Sequence, residues 1–293
     1  MIEIRNLTKT YPGNIQALGG IDLSIGSGMF GLVGPNGAGK TTLMRIISCI
    51  IRPTGGQVEV FGHSVGTGAG KQAIKTSLGY LPQELGMYPD LTAQEFLDYF
   101  AILKGVTDKR QRRLQVAELL ELVRLSDAAG RKIKGFSGGM KRRVGIAQAL
   151  LGSPRLLIVD EPTAGLDPEE RVRLRNLLAD TAARCTVILS THIIEDISQS
   201  CRDLAVINKG QVAFQGSPGE LIRQVTGKVW LVTTDGRKPN GRTTVVSSTH
   251  LQEGVQYRVL GDASDYENAR TAEPSLEDGY IWLMQGLGEN KTG

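Results

Sequence analysis

The chain has 293 residues, of which 40% are hydrophobic and 22% are charged, and its formal net charge is +4. This length supports a sizeable core and one or two domains, and the composition is ordinary for a soluble globular protein. The mild charge gives no indication of bulk nucleic-acid binding, and apolar runs such as residues 156–159 are too short to span a bilayer.

The N-terminal residues and the cysteines predict a cytosolic protein. Residues 1–9, MIEIRNLTK, have a strand pattern and lack the basic-then-apolar order of a secretory signal. Cys49, Cys185 and Cys201 are widely spaced and form no CxxC or metal-binding pattern, so we expect reduced thiols in the core. A function at a membrane would therefore need a partner that holds the chain there.

The first part of the chain predicts two antiparallel strands and then a short buried strand. Apolar residues that indicate one buried face of the antiparallel pair are Ile2, Ile4, Ile21, Leu23 and Ile25. Residues 30–34, FGLVG, follow as an apolar run that leads directly into a glycine-rich loop. We expect this run to be a strand inside the core.

The glycine-rich loop predicts a nucleotide site. Residues 34–41 match G-x-x-x-x-G-K-[ST], in which glycines turn backbone N–H groups toward phosphates at a helix N-terminus. Lys40 is expected to reach the β- and γ-phosphates, and the Thr41 hydroxyl to bind Mg²⁺. The alternative, a glycine-rich turn with a chance lysine, is disfavoured by the flanking strand and helix. The predicted binding residues here are Gly34, Pro35, Asn36, Gly37, Ala38, Gly39, Lys40, Thr41 and Thr42.

Helical patterns follow the loop. One face of a helix is predicted at Leu43, Ile46, Ile47 and Ile50, with Pro53 and the next glycines ending it. Residues 89–152 are predicted to be mainly helical, with Gly152 and Pro154 closing the last helix. That last helix begins after Ser137, Gly138 and Gly139, a turn suited to holding a phosphate.

Two apolar runs, residues 156–160 and 186–191, predict parallel strands buried between helices. Asp160 ends the first run, where its carboxylate is expected to reach Mg²⁺ at the carboxyl edge of the sheet. Glu161 follows and is expected to accept a proton from an attacking water. An acidic strand end that faces solvent is the alternative, and a kinase also uses such acids.

The chain after Gly216 predicts a small appended α+β domain with no sign of chemistry. Short strand-like runs occur at residues 228–236, 242–251 and 255–262. Residues 273–285 predict a terminal helix, in which Ser275 and Asp278 nearly match a capping box.

Five ordered motifs together resemble those of ABC ATPases. They are GPNGAGKTT (34–42), YLPQE (80–84), FSGGMKRR (136–143), LLIVDEPTAGLD (156–167) and STH (190–192), and they span about three quarters of the chain. The resemblance implies an α/β fold with a P-loop NTPase, ABC-type ATPase core that combines a mixed sheet with helices, an antiparallel β subdomain and an α-helical subdomain. The core would span residues 1–216, with the helical subdomain at about 89–152, and residues 217–293 would form the accessory domain.

The resemblance also implies a head-to-tail dimer around two ATP molecules. Ser137, Gly138 and Gly139 would contact the γ-phosphate of the ATP held by the other subunit, which explains two phosphate turns in one chain. The motif departs from the commonest form, LSGGQ: Phe136 keeps an apolar anchor, whereas Met140 lacks a side-chain amide that could reach the ribose.

Further roles rest on the resemblance alone. Tyr11 would stack on adenine, with a simple turn residue as the alternative. Gln83 would touch Mg²⁺ or the attacking water, and Asp167 would contact the partner subunit and its nucleotide. His192 would steady the γ-phosphate, with a structural histidine as the alternative.

The predicted function is therefore an Mg²⁺-dependent ATPase subunit of an ABC transporter, closest to exporters of the drug-resistance and ABC-2 type. It would dimerise with a like or unlike ATPase subunit and sit at the cytoplasmic face of the membrane beneath integral membrane subunits, without nucleic acid. Alternatives are an importer subunit or a soluble ABC ATPase acting on ribosomes, DNA or cluster assembly. A P-loop kinase would lack the Ser-Gly-Gly turn and His192.

The basic residues 109–113 are expected to be a solvated helix face, with contact to acidic lipid or a partner as the alternative.

Overall fold

A computed structural model of the chain describes residues 1–163, 165–239, 242–252 and 254–289. The chain falls into two compact units, Met1–Gln215 and Gly216–Gly293. Ala164, inside the fourth motif, lies outside the described residues.

The first unit is built from ten strands and seven α-helices among its described residues. In chain order they are β1 Ile2–Tyr11, β2 Ile15–Ile25, β3 Met29–Val33, α1 Lys40–Ile47, β4 Gly55–Val60, β5 His63–Ser64, α2 Gly68–Ser77, β6 Leu78–Leu81, α3 Ala93–Leu103, α4 Lys109–Leu122, α5 Gly138–Leu150, β7 Leu156–Asp160, α6 Pro168–Ala182, β8 Thr186–Thr191, α7 Ile194–Ser198, β9 Asp203–Asn208 and β10 Gln211–Gly216.

Two sheets form the first unit. A four-stranded antiparallel sheet has the order β2-β1-β4-β5, and the five apolar side chains predicted to face its core are buried. A six-stranded sheet has the order β10-β9-β3-β8-β7-β6, in which the pairs from β9 to β6 are parallel. The predicted antiparallel pair and the predicted parallel strands are therefore both confirmed.

The helix after the glycine-rich loop is shorter than predicted. Leu43, Ile46 and Ile47 are buried on α1 as expected, but Ile50 lies beyond the helix and is 54% exposed. The helix ends because the Ser48 side chain hydrogen-bonds the Met44 carbonyl and Cys49 turns into the left-handed region, at φ +56°. The prediction that Ile50 belongs to this buried face is wrong.

The predicted helices between residues 89 and 152 are present as α3, α4 and α5, with 3₁₀ turns at Ser126–Ala128 and Ile133–Gly135. A capping box between Thr92 and Glu95 starts α3. Gly152 follows α5 with φ +74°, as a helix-ending glycine does.

The second unit contains an antiparallel sheet and two helices among its described residues. They are α8 Pro218–Arg223, β11 Val229–Thr234, β12 Thr243–Leu251, β13 Gly254–Gly261, β14 Arg270–Thr271 and α9 Leu276–Glu289, and the strand order is β12-β13-β11-β14. The predicted cap of the terminal helix is confirmed, since the Asp278 N–H donates to Ser275 Oγ and the Ser275 N–H to Asp278 Oδ2. Arg258 Nη2 donates to the same carboxylate at 2.6 Å.

All three cysteines are free thiols, but only Cys201 is a core residue, and Cys49 and Cys185 are half-buried. Burial raises the pKa of Cys201 to about 12 and that of Cys185 to about 11. Within the described part of the chain, the helices are all too short or too polar to cross a bilayer.

Candidate nucleotide-binding site

The sheet brings three predicted segments to one edge. Val33 pairs with Thr191 in β8, and Asp160 pairs with Ser190 of the same strand. The strands are parallel, so the residues that follow them, including the glycine-rich loop, Glu161 and His192, emerge at the same edge. The convergence expected from the sequence therefore exists in the fold.

Two glycines of the loop occupy positions that other residues would not fit. Gly34 has φ +154°, and a Cβ there would lie 2.1 Å from the Ile207 carbonyl oxygen. Gly39 precedes α1 with φ +108°, and a Cβ there would lie 2.7 Å from the Ala17 carbonyl oxygen. The loop packs so closely against neighbouring backbone that both positions require glycine.

Lys40 is the first residue of α1, and its side chain folds back over the loop. Its Nζ donates to the Gly34 carbonyl at 2.6 Å and to the Pro35 carbonyl at 3.2 Å. Burial lowers the pKa of Lys40, and the nearby carboxylates of Glu161 and Asp160 oppose that shift. The ammonium group therefore lies at the mouth of the loop, beside two acids.

Thr41 and Asp160 form an oxygen-rich pair suited to a hard cation. Thr41 Oγ1 donates to Asp160 Oδ2 at 3.0 Å, while the buried Asp160 Oδ1 has no hydrogen-bond partner among the described residues. Burial raises the pKa of Asp160, and the Thr41 hydroxyl opposes that shift. A buried carboxylate oxygen without a partner beside a hydroxyl fits the oxygen ligands that Mg²⁺ prefers.

Glu161 and His192 form a second polar pair at the same edge. Their Oε2 and Nδ1 atoms lie 3.0 Å apart, with Glu161 buried and the His192 side chain 54% exposed. Glu161 has φ +49°, an uncommon backbone conformation for a residue with a side chain. This backbone turn directs the carboxylate of Glu161 toward His192, whereas the carboxylate of the preceding residue, Asp160, contacts Thr41.

Tyr11 and Gln83 take different positions relative to this edge. The Tyr11 hydroxyl lies 3.4 Å from Thr42 Oγ1, and Lys9 Nζ lies 5.2 Å from the centre of its ring. Tyr11 therefore stands next to the loop. Gln83 is exposed, and its backbone carbonyl accepts a hydrogen bond from Arg142.

The Ser-Gly-Gly turn and Asp167 form a separate surface. Ser137 caps α5 by accepting a hydrogen bond from the Met140 N–H at 3.2 Å, and Ser137 and Gly138 are exposed. Asp167 caps α6 in the same way and is also exposed. Among the described residues, no hydrogen bond or ion pair joins this surface to residues 34–42 of the same chain. Phe136 is buried, as its predicted anchoring role requires.

Arg142 is a central residue that sequence analysis missed. It is 6% exposed and donates hydrogen bonds to backbone carbonyls on both sides of the site, including those of Asp160 and Gln83. The only signal in the sequence is a run of basic residues after the Ser-Gly-Gly turn, which does not distinguish a buried arginine from solvated ones.

Comparisons with known proteins show which chains this one resembles. A family model described as ABC transporter matches residues 18–164. The chain is 33% identical to the probable multidrug ABC transporter ATP-binding protein YbhF of Escherichia coli (strain K12), over 100% of this chain and 53% of that protein. It is 37% identical to the linearmycin resistance ATP-binding protein LnrL of Bacillus subtilis (strain 168), over 78% of this chain and 72% of LnrL. This chain therefore spans about half the length of YbhF.

A solved structure shows the same fold. The dimeric structure of a post-hydrolysis state of the ATP-binding cassette MJ0796, bound to ADP and Pi, superposes with a TM-score of 0.69 at 29% sequence identity. The match covers 74% of this chain and 98% of that chain. The predicted α/β fold with an ABC-type core is confirmed.

Proposed function

The chain belongs to the ABC transporter family, and from this premise we propose that it is an ATP-hydrolysing subunit that drives export through separate membrane subunits. The observation that carries this proposal is the convergence of the Lys40 loop, the Thr41–Asp160 pair and the Glu161–His192 pair at one sheet edge. The proposed roles of individual residues follow from these contacts.

ATP binds with its phosphates in the glycine-rich loop. The loop N–H groups and the N-terminus of α1 attract the phosphates, and Lys40 moves its ammonium group from the Gly34 and Pro35 carbonyls to phosphate oxygens. The Tyr11 ring, next to Thr42, provides a face on which adenine stacks. Stacking of this kind orients the base without selecting its hydrogen-bonding edge.

Thr41, Asp160 and Gln83 are the residues that would hold Mg²⁺. The bound ion would neutralise phosphate charge and polarise the β- and γ-phosphates. The Thr41 hydroxyl and the unpartnered oxygen of Asp160 would supply ligands, and Arg142 holds the backbone carbonyl of Gln83.

Glu161 is the proposed general base. Its carboxylate accepts a proton from the water that attacks the γ-phosphate, and the buried surroundings of the carboxylate strengthen its interaction with that water. His192 Nδ1 lies 3.0 Å from the carboxylate, and its exposed ring would contact the γ-phosphate of bound ATP. The two residues thus orient one another during proton transfer.

The active unit is a head-to-tail dimer with two shared sites. The exposed Ser137 and Gly138, at the N-terminus of α5, contact the γ-phosphate of the partner's ATP, and Asp167 contacts the partner near that nucleotide. A two-fold axis relates the two sites, so the interface is isologous and each chain uses both surfaces once. ATP therefore holds the dimer together, and loss of the γ-phosphate releases it.

The transport role rests on the relatives. YbhF is named as a probable multidrug transporter component and LnrL as a linearmycin resistance protein, so we propose export of an organic molecule by this chain's complex. The chain would lie at the cytoplasmic face of the membrane, bound to integral membrane subunits through its α3–α5 region.

The shared site is tested by mixing two inactive variants. Lys40→Ala disables the phosphate loop, Ser137→Arg blocks the partner-facing turn, and a mixed dimer of the two retains one intact site. ATP-dependent dimerisation, measured by light scattering on a sizing column, should be restored by mixing. Ser126→Arg, at another exposed serine, is the control that should dimerise alone. Dimerisation no better in the mixture than in either variant alone would refute the shared arrangement.

A further inference from the structure

The guanidinium group of Arg142 uses all five of its N–H donors on backbone carbonyls. Arg142 lies on α5, five residues after Ser137, and its side chain is buried. Its acceptors are Pro162 at 3.1 Å from Nε, Pro82 at 3.3 Å and Gln83 at 2.9 Å from Nη1, and Asp160 at 2.8 Å and Glu161 from Nη2. The five acceptors match the five donors that a guanidinium offers.

The acceptors belong to two segments that follow neighbouring strands. Residues 82–83 follow β6, residues 160–162 end or follow β7, and β6 and β7 pair in parallel. One side chain of α5 therefore fixes both strand ends, the one that carries Gln83 and the one that carries Glu161. A lysine has three donors on one nitrogen and does not reproduce this planar fork.

Arg142 also fixes the unusual backbone of Glu161. The Asp160 carbonyl before Glu161 and the Glu161 carbonyl after it both accept from Nη2, while the Glu161 N–H donates to the Ser190 carbonyl at 2.9 Å. The peptide groups on both sides of the Glu161 Cα are thus held while φ is +49°. Strained conformations of this kind persist only where surrounding contacts impose them.

We propose that Arg142 is a positioning residue for hydrolysis in its own chain. It acts through Glu161 and Gln83, although its helix begins with the turn that faces the partner's ATP. This inference rests on the proposed function, because it concerns the same general base. The guanidinium of Arg142 thus connects α5, whose N-terminus faces the partner's ATP, to the Glu161 and Gln83 segments, which serve the ATP of its own chain.

Single variants separate positioning from folding. Arg142→Gln and Arg142→Lys should lower kcat by about 10- to 100-fold while KM for ATP stays within about threefold, because the base is displaced and the phosphate loop is not. ATP should still trap a dimer when either change is combined with Glu161→Gln. Arg143→Gln is the matched control: its guanidinium binds carbonyls at the end of α4 and lies 3.4 Å from Glu170, and its kcat should stay within about twofold of wild type.

Single-site mixed dimers give the decisive test. In the mixture described above, the Ser137→Arg chain supplies Lys40 and Glu161 to the intact site, and the Lys40→Ala chain supplies Ser137. Arg142→Lys should lower kcat about 10-fold or more in the first chain and less than about twofold in the second. The kcat is expressed per folded dimer in both placements, so that a loss of folded chain does not produce the difference.

The outcomes separate this inference from the proposed function. The positioning role would be overturned if Arg142→Lys lowered kcat equally in both chains of the mixed dimer. It would also be overturned if kcat fell only when the substitution was in the chain that supplies Ser137. Unchanged kcat per folded dimer in both Arg142 variants would do the same. If the wild-type chain and the parent mixed dimer hydrolyse no ATP, the proposed function itself fails.

Discussion

His192 Nδ1 lies 3.0 Å from Glu161 Oε2, although the two residues follow different strands of the core sheet and are 31 positions apart. Parallel pairing of β7 with β8 brings these strand ends together. The left-handed turn at Glu161 then directs its carboxylate to the imidazole. The pair is thus a product of sheet topology and one unusual backbone conformation.

Replacement of Glu161 by glutamine tests the general base. The amide keeps the size of the side chain but does not accept the proton, so steady-state ATP hydrolysis should fall by about 10³-fold or more while ATP binding is retained. The variant should also accumulate as an ATP-bound dimer. Glu121→Gln, at an exposed acid of α4, should hydrolyse ATP normally. Near-wild-type turnover by Glu161→Gln would exclude this base assignment.

His192→Ala should lower kcat by about 10- to 100-fold, because the Glu161 carboxylate loses its partner and the γ-phosphate loses a contact. KM for ATP should change less than kcat, since Lys40 and the loop remain. The same substitution at His63, an exposed residue of β5, should leave both constants unchanged. Equal kinetics for the two alanine variants would make His192 a structural histidine.

A chain that ends at Gly216 should keep its affinity for ATP within about threefold of the full chain. The predicted nucleotide and metal residues all lie in Met1–Gln215, which has its own hydrophobic core. Binding can be followed with a fluorescent ATP analogue, and Lys40→Ala in the truncated chain provides the non-binding control. Loss of ATP affinity in a truncated chain that still gives a folded circular dichroism spectrum would mean that the second unit helps to build the site.

Asp278 should make the second unit sensitive to acid. Burial raises the pKa of Asp278, but hydrogen bonds from Arg258 and Ser275 outweigh this and leave the pKa below its ordinary value of 3.8. The pair therefore contributes stability above about pH 4, and this contribution is lost as the pH falls further toward the folded-state pKa. Asp278→Asn should lower the free energy of unfolding at pH 7 by about 3 kcal/mol, because Arg258 loses its charge partner.

Tryptophan fluorescence reports on this unit alone, because both tryptophans, Trp230 and Trp282, belong to it. Urea unfolding followed by this signal at pH 7 and at pH 3 should show a smaller difference between the two pH values for Asp278→Asn than for wild type. Asp265→Asn, at an exposed carboxylate, should behave as wild type. An identical pH dependence of Asp278→Asn and wild type would contradict the expected role of the ion pair.

The loop and the acids were predictable because each has a short, recognisable sequence pattern. Gly34 and Gly39 meet backbone atoms of other segments, so the spacing of glycines in the pattern reflects real steric limits. Asp160 ends an apolar run, and such a run in a parallel sheet has its carboxyl end at the ligand edge. The roles of these residues in ATP hydrolysis stay predictions.

Tertiary contacts account for what the sequence analysis did not predict. Arg142 is surrounded by carbonyls from residues 18 to 60 positions away, and no periodic pattern records those contacts. Ile50 continues the 3.6-residue spacing of α1, yet the Ser48 and Cys49 conformations end the helix before it. The short helix α8 was also not predicted, although Ser217 and Glu220 form a capping box that was readable in the sequence.

The left-handed backbone of Glu161 places strain at the residue that we propose as the general base. Glycine there would relax about 1 kcal/mol of backbone strain, but it would abolish the proposed base and remove a carboxylate that compensates the buried charge of Lys40. Engineering of a hardier version should instead leave this turn untouched and seek its gains elsewhere in the molecule.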